Sequence, residues 1–208
     1  MRWPVTVGGR VVQLLGGLVI SAVGIWLTIQ ARLGVAPWEV LHIGLASRAG
    51  IGVGTASILV GALLVVTVTL AGIRPGIGTV LNVLTIGAML NLLLALPLLD
   101  GAADAAPVWR VAVLCLGIVV FAFGCAIYVG AHLGPGPRDG LMVAVHVRGR
   151  VSIGVARAIS EATGLALGWL LGGPVGAGTV VFVVCAGPAV ALAFRVLGLQ
   201  PLRRSPVV

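Results

Sequence analysis

Acidic residues are scarce in this chain, five in 208, and two of them hold matching places in a stretch that occurs twice. Leu33-Gly34-Val35-Ala36-Pro37-Trp38-Glu39-Val40-Leu41 returns one hundred residues later as Leu133-Gly134-Pro135-Gly136-Pro137-Arg138-Asp139-Gly140-Leu141. Pro37 and Pro137 suit the first turn of a helix, where the missing N–H costs nothing, and the preceding glycines let the backbone turn sharply. The free N–H groups and positive dipole end of each helix would then face a common region, a setting for binding a polar solute or ion. Glu39 and Asp139 fall in that first turn. A carboxylate there could bind a cation or carry a proton, or it could only complement the dipole, for about 0.3–1 kcal/mol.

Other side chains near the two breaks add to this chemistry without repeating in both copies. Trp38 is answered by Arg138, so a site built here is asymmetric; Trp38 could equally be an interfacial anchor. His42 lies one turn after Glu39 on the same face, close enough to share a proton, but its counterpart is Met142, and a bystander at the membrane interface is the alternative. Glu161 sits in the middle of an apolar segment with Arg157 one turn before it. Charges in such a segment are expensive and face a partner or a cavity, and an Arg157–Glu161 pair that neutralises itself is the structural alternative.

The elements that position these groups follow from composition. The chain is 60% hydrophobic and 9% charged, with mean hydropathy +1.21, whereas a soluble domain carries about a quarter charged residues. The bilayer is therefore its solvent. Six segments are long and apolar enough to span it, roughly 9–31, 53–72, 77–97, 107–131, 152–172 and 176–197. Between them, residues 37–48 and 137–148 would each form a helix about 18 Å long, too short for a hydrocarbon core of about 30 Å. Each is a half-helix that enters the membrane or lies at its interface.

The two halves, 1–100 and 101–208, align at a constant offset through Leu14/Leu114, Gly17/Gly117, Gly24/Gly124, Gly76/Gly176, Gly78/Gly178, Thr79/Thr179 and Gly87/Gly187. Three spans per half is an odd number, so the second half must enter the membrane in the opposite sense. The expected fold is thus an all-α polytopic membrane helix bundle: six transmembrane helices, two short half-helices, and two inverted-topology repeats forming one structural domain. All 13 basic residues are arginine. With the N-terminus inside, Arg32, Arg48 and Arg110 count to the outer side and the other ten to the cytoplasmic side. Counting the half-helices as full spans also gives ten against three, so charge places both termini in the cytoplasm and only segment length argues for the inversion. The fifth span carries Ala156, Ser160, Gly164, Gly168 and Gly172 at four-residue intervals, a face on which another helix can pack closely. Pro188, where the first half has Ala88, should kink the sixth span.

Several function classes drop out. The net charge of +8 is the positive-inside bias and does not indicate a nucleic-acid partner. Cys115, Cys125 and Cys185 lie in apolar segments with no metal-binding spacing. The hinges Arg74-Pro75-Gly76-Ile77-Gly78-Thr79 and Pro174-Val175-Gly176-Ala177-Gly178-Thr179 lack the Gly-Lys-Ser/Thr ending of a phosphate loop and read as tight turns capped by threonine. Asn82, Asn91 and Thr85 read as interhelical hydrogen-bonding groups. No catalytic set, metal site or cofactor is expected, and the chain is not expected to be an enzyme.

The two Leu-Gly-x-x-Pro stretches, followed in the first half by Gly54-Thr55-Ala56 and Arg74-Pro75-Gly76-Ile77-Gly78-Thr79-Val80-Leu81-Asn82, resemble the bacterial YczE-type integral membrane proteins, grouped with the YyaS and YitT names. That resemblance covers nearly the whole chain. It implies a multi-pass protein of the bacterial cytoplasmic membrane and brings no substrate with it. The expected function is a small secondary transporter that takes a small solute or ion between the half-helices, at Pro37, Trp38, Glu39, His42, Pro137, Arg138 and Asp139. The alternative is a non-transporting membrane protein that assists assembly or activity of another membrane system.

Overall fold

The computed structural model describes residues 6–99, 105–134 and 136–199. Arg2, Pro135, Arg203, Arg204 and the connector with Asp100, Gly101 and Asp104 lie outside the described residues. Among those described there are eight helices and no strand: α1 (Val7–Gln30), α2 (Pro37–Ala49), α3 (Val53–Leu70), α4 (Ile77–Ala95), α5 (Pro107–Val129), α6 (Pro137–Gly149), α7 (Ile153–Leu170) and α8 (Ala177–Leu197). Five of them, α1, α3, α4, α5 and α8, are long and apolar enough to cross a membrane. The α7 helix has 18 residues but carries Arg157 and Glu161, and so falls outside that set. The half-helices α2 and α6 have 13 residues each, about 20 Å at the helical rise. Both start at a proline, as their sequences predict.

The backbone repeats along with the sequence. Left-handed conformations occur in matched pairs: Arg32 and His132 (φ 50 and 56°), Gly34 and Gly134 (102 and 125°), Gly50 and Arg150 (65 and 52°), Gly72 and Gly172 (81 and 86°). The first two pairs form the turn that leaves α1 or α5 and starts a half-helix. The third ends each half-helix in a left-handed cap, at Arg150 without the freedom of glycine.

At the centre α1 and α5 cross in backbone contact. A Cβ on Gly17 would lie 2.5 Å from the Tyr128 nitrogen, and one on Gly24 would lie 2.3 Å from the Phe121 nitrogen. Reciprocally, a Cβ on Gly124 would meet the Ser21 nitrogen at 2.4 Å and one on Gly117 the Gly24 oxygen at 2.9 Å. Rising numbers on α1 meet falling numbers on α5, so the two helices run antiparallel. Glycines allow this approach because association between helices in lipid depends on close packing. Gln13 locks the crossing by donating to the Ile127 carbonyl at 3.0 Å.

Each break docks on the other half. The Leu33 carbonyl accepts from Gly178 N–H at 2.7 Å, and the Leu133 carbonyl accepts from Gly78 N–H at 2.9 Å. Arg48 at the end of α2 donates to the Leu171 carbonyl just past α7, and Arg148 at the end of α6 donates to the Leu70 carbonyl closing α3. The small face of α7 receives α2: a Cβ on Gly164 would meet the Trp38 ring at 3.1 Å, and one on Gly168 the Leu41 nitrogen at 2.3 Å. Ala156, Ser160, Gly164 and Gly168 are the buried residues of α7, while Gly172 belongs to the following turn. Pro188 lies inside α8, which continues through it.

Candidate functional site

Trp38, Glu39 and His42 are 3%, 1% and 2% exposed, which places the first turn of α2 in the interior of the bundle. The α6 half-helix brings Arg138 to them: its guanidinium donates to Glu39 Oε1 and stands 5.7 Å from the centre of the Trp38 ring. The tryptophan and arginine that break the repeat's symmetry are therefore stacked on each other, a cation–π contact. Trp38 is held between Arg138 and Gly164, buried in packed protein. His42 Nδ1 lies 3.9 Å from Glu39 Oε1, so the i,i+3 spacing does place them side by side. Glu39 Oε2, His42 Nδ1 and Trp38 Nε1 are buried with no hydrogen-bond partner among the described residues. Buried polar atoms in this state are uncommon and call for an explanation such as a bound group.

Asp139 stands across from this cluster. Gly136, the residue before α6, is surrounded by polar atoms: a Cβ there would lie 3.4 Å from Asp139 Oδ2, 3.5 Å from Tyr128 Oη and 3.7 Å from Asn82 Nδ2. Residues from both halves line one cavity of about 200 Å³, among them His42, Asn82, Tyr128, Arg138, Asp139 and Glu161. Arg157 and Pro137 line it as well, whereas Pro37 faces a second space between α7 and α8. The ion pair among the described residues is that of Glu39 with Arg138, with the His42 ring beside it. Arg157 and Glu161, one turn apart, do not close on each other as an i,i+4 pair would; both turn to the cavity.

Every acid among the described residues, Glu39, Asp139 and Glu161, is thus gathered at one place with two arginines. The arrangement can hold a polar group of either sign, or divide a zwitterion between its charges, in surroundings where water competes little. Tyr128 and Asn82 were not placed here by sequence reasoning. Tyr128 is the chain's single tyrosine, which is a weak pointer, and Asn82 has Phe182 as its counterpart, so the repeat does not mark it.

Fold and site define a class: a multi-helix membrane protein with a charged internal cavity where two half-helices meet. Residues 9–195 match DUF6198, a family of unknown function, and the chain belongs to that family. It is 35% identical over 189 residues to an uncharacterised protein of Haemophilus influenzae, covering 90% of this chain and 84% of that one. It is 36% identical over 174 residues to the uncharacterised membrane protein YczE of Bacillus subtilis, covering 82% and 79%. The uncharacterised protein YyaS of Bacillus subtilis is 28% identical over 187 residues. The YczE-type resemblance read from the repeated motifs is borne out by these relatives. No solved structure matches the chain.

Proposed function

We propose that this protein is a small secondary transporter of the bacterial cytoplasmic membrane, with a binding site between the two half-helix N-termini. The observation that carries the reading is the gathering of Arg138, Asp139, Arg157 and Glu161 around one internal cavity, with Glu39 of the other half paired to Arg138. Intramembrane charges are costly and mark solute or ion pathways. In this reading α7 joins the five apolar helices as a sixth span, its two charges turned to the cavity. The halves insert in opposite senses, with both termini in the cytoplasm. The antiparallel crossing of α1 and α5 supports that sense, as do the contacts that put Arg148 beside the end of α3 and Arg48 beside the end of α7. Such inverted repeats with discontinuous helices at the site are a common transporter plan. The protein acts on its solute by moving it and does no covalent chemistry.

The test is flux in proteoliposomes against a panel of small ions and solutes, for the wild type and for Glu39→Gln and Asp139→Asn. The reading predicts a saturable flux that both substitutions abolish while the protein still inserts and folds. Flux unchanged in both variants would make the acids structural, and absence of flux across the panel would favour a role in assisting another membrane system.

A further inference from the structure

The seam between α3 and α4 is closed. Its counterpart between α7 and α8 is open. A Cβ on Gly54 would lie 1.9 Å from the Gly87 carbonyl, and one on Gly87 would lie 2.6 Å from that of Gly54. The equivalent glycines, Gly154 and Gly187, have nothing within 4 Å and are exposed. The space between α7 and α8 measures about 600 Å³ and shares Arg157, Glu161, Phe182, Ala186 and Gly187 with the central cavity. The opening therefore adjoins the charged site, with these residues as common walls.

If α7 and α8 span the bilayer, this opening faces lipid. Its walls are apolar on the α8 side (Phe182, Val183, Ala186) and on much of α7 (Ala158, Ala162, Leu165), yet Arg157 and Glu161 face the same space. An exposed Arg157 and a part-exposed Glu161 within a span are expensive unless something polar covers them. A purely apolar acyl chain cannot do so, and a purely polar solute would leave the apolar wall uncovered. An occupant with a charged head and an apolar chain satisfies both. Glu39 is already matched by Arg138, so the charges left for a head are one arginine, Arg157, and two acids, Asp139 and Glu161. That set suits a head bearing both an anion and an ammonium group.

We propose that the gap between α7 and α8 is a lateral entrance from the bilayer, and that the ligand is a single-chain zwitterionic amphiphile. Its head enters the cavity between Arg157 and the acids Glu161 and Asp139, and its chain lies along the wall formed by Phe182, Val183, Ala186 and Leu165. This deepens the transporter reading and rests on it for the site, while the entrance itself is tested by binding alone.

The probe is radiolabelled lauroyl-lysophosphatidylcholine, titrated onto the full chain purified in dodecyl maltoside, with phosphocholine as the head without a chain. Saturable binding of the tailed probe is expected, with phosphocholine at least tenfold weaker. Arg157→Gln and Glu161→Gln should each weaken the tailed probe about tenfold. Gly187→Leu, which fills the gap from an open position, should do the same, and Gly154→Leu serves if Gly187→Leu does not fold. Gly16→Leu, another open glycine, on α1, is the control and should bind as wild type does. Equal affinity for phosphocholine and the tailed probe would overturn the entrance, as would binding indifferent to Arg157→Gln and Glu161→Gln. So would a dimer in solution that Gly187→Leu dissociates, since a second copy would then be what covers the gap. Failure of this binding beside a retained flux of a water-soluble solute would remove the entrance and leave the transporter reading standing.

Discussion

The α3–α4 and α7–α8 seams start from the same glycines and end in opposite states. In the first half Gly54 and Gly87 bring the two backbones into contact, and Asn91 clasps Thr55, donating to its hydroxyl at 2.9 Å and accepting its N–H at 3.3 Å. In the second half the clasp is absent, because position 155 is valine and position 191 alanine. Gly61 lets Val83 lie against α3, with a Cβ there 2.8 Å from a Val83 methyl; the corresponding residue of α7 is Glu161, which cannot be sealed against an apolar helix at tolerable cost. Glycine thus permits close packing without enforcing it. The neighbours decide, and in the second half they favour an open, charged space.

The largest expected effect separates the charged cluster from ordinary packing. Glu39→Ala leaves Arg138 beside Trp38 without its counter-charge, and removing one partner of a buried pair costs about 3–5 kcal/mol. Thermal unfolding in detergent should show this loss, with a smaller one for Asp139→Ala, a part-exposed residue that forms no ion pair among those described. Equal losses at the two positions would mean that the halves are energetically alike and the asymmetry is superficial.

Next come the glycines. Gly54→Leu must push a side chain into the Gly87 carbonyl and should cost about 2–3 kcal/mol, whereas Gly154→Leu should change stability by no more than about 0.5 kcal/mol. Similar destabilisation by both would show that α7 and α8 close on each other in solution. The smallest effect belongs to the clasp: Asn91→Ala should cost about 1 kcal/mol, the usual size of an interhelical hydrogen bond in a membrane protein. A neutral result there would assign the closed seam to its glycines alone.

Much of this was legible in the residues. Prolines 37 and 137 placed the half-helix starts, because a ring-locked φ and a missing donor leave few other positions, and the constant offset announced a repeated backbone that even the left-handed residues obey. Segment length and hydropathy found five of the six expected spans among the described residues, and in α7 could not register that its charges face a cavity. The Arg157–Glu161 pair stayed open in the sequence for the same reason: helical spacing says which side chains are neighbours, not which of them face a cavity. The Trp38–Arg138 stack joins residues one hundred positions apart, and the pattern showed only that they differ. The open seam was least legible, since Gly154 and Gly187 copy the glycines of a closed one.

The inverted insertion of the two halves is tested most directly by labelling single cysteines at Arg74 and Arg148 in a background free of Cys115, Cys125 and Cys185. Arg74 follows α3 and Arg148 ends α6, and the Arg148 guanidinium reaches the Leu70 carbonyl closing α3, so both positions should share one side of the membrane. A membrane-impermeant maleimide should modify Arg74→Cys and Arg148→Cys in inside-out vesicles and neither in intact cells. Modification of position 74 from outside the cell, with position 148 still cytoplasmic, would contradict the inverted repeat and the shared site that depends on it.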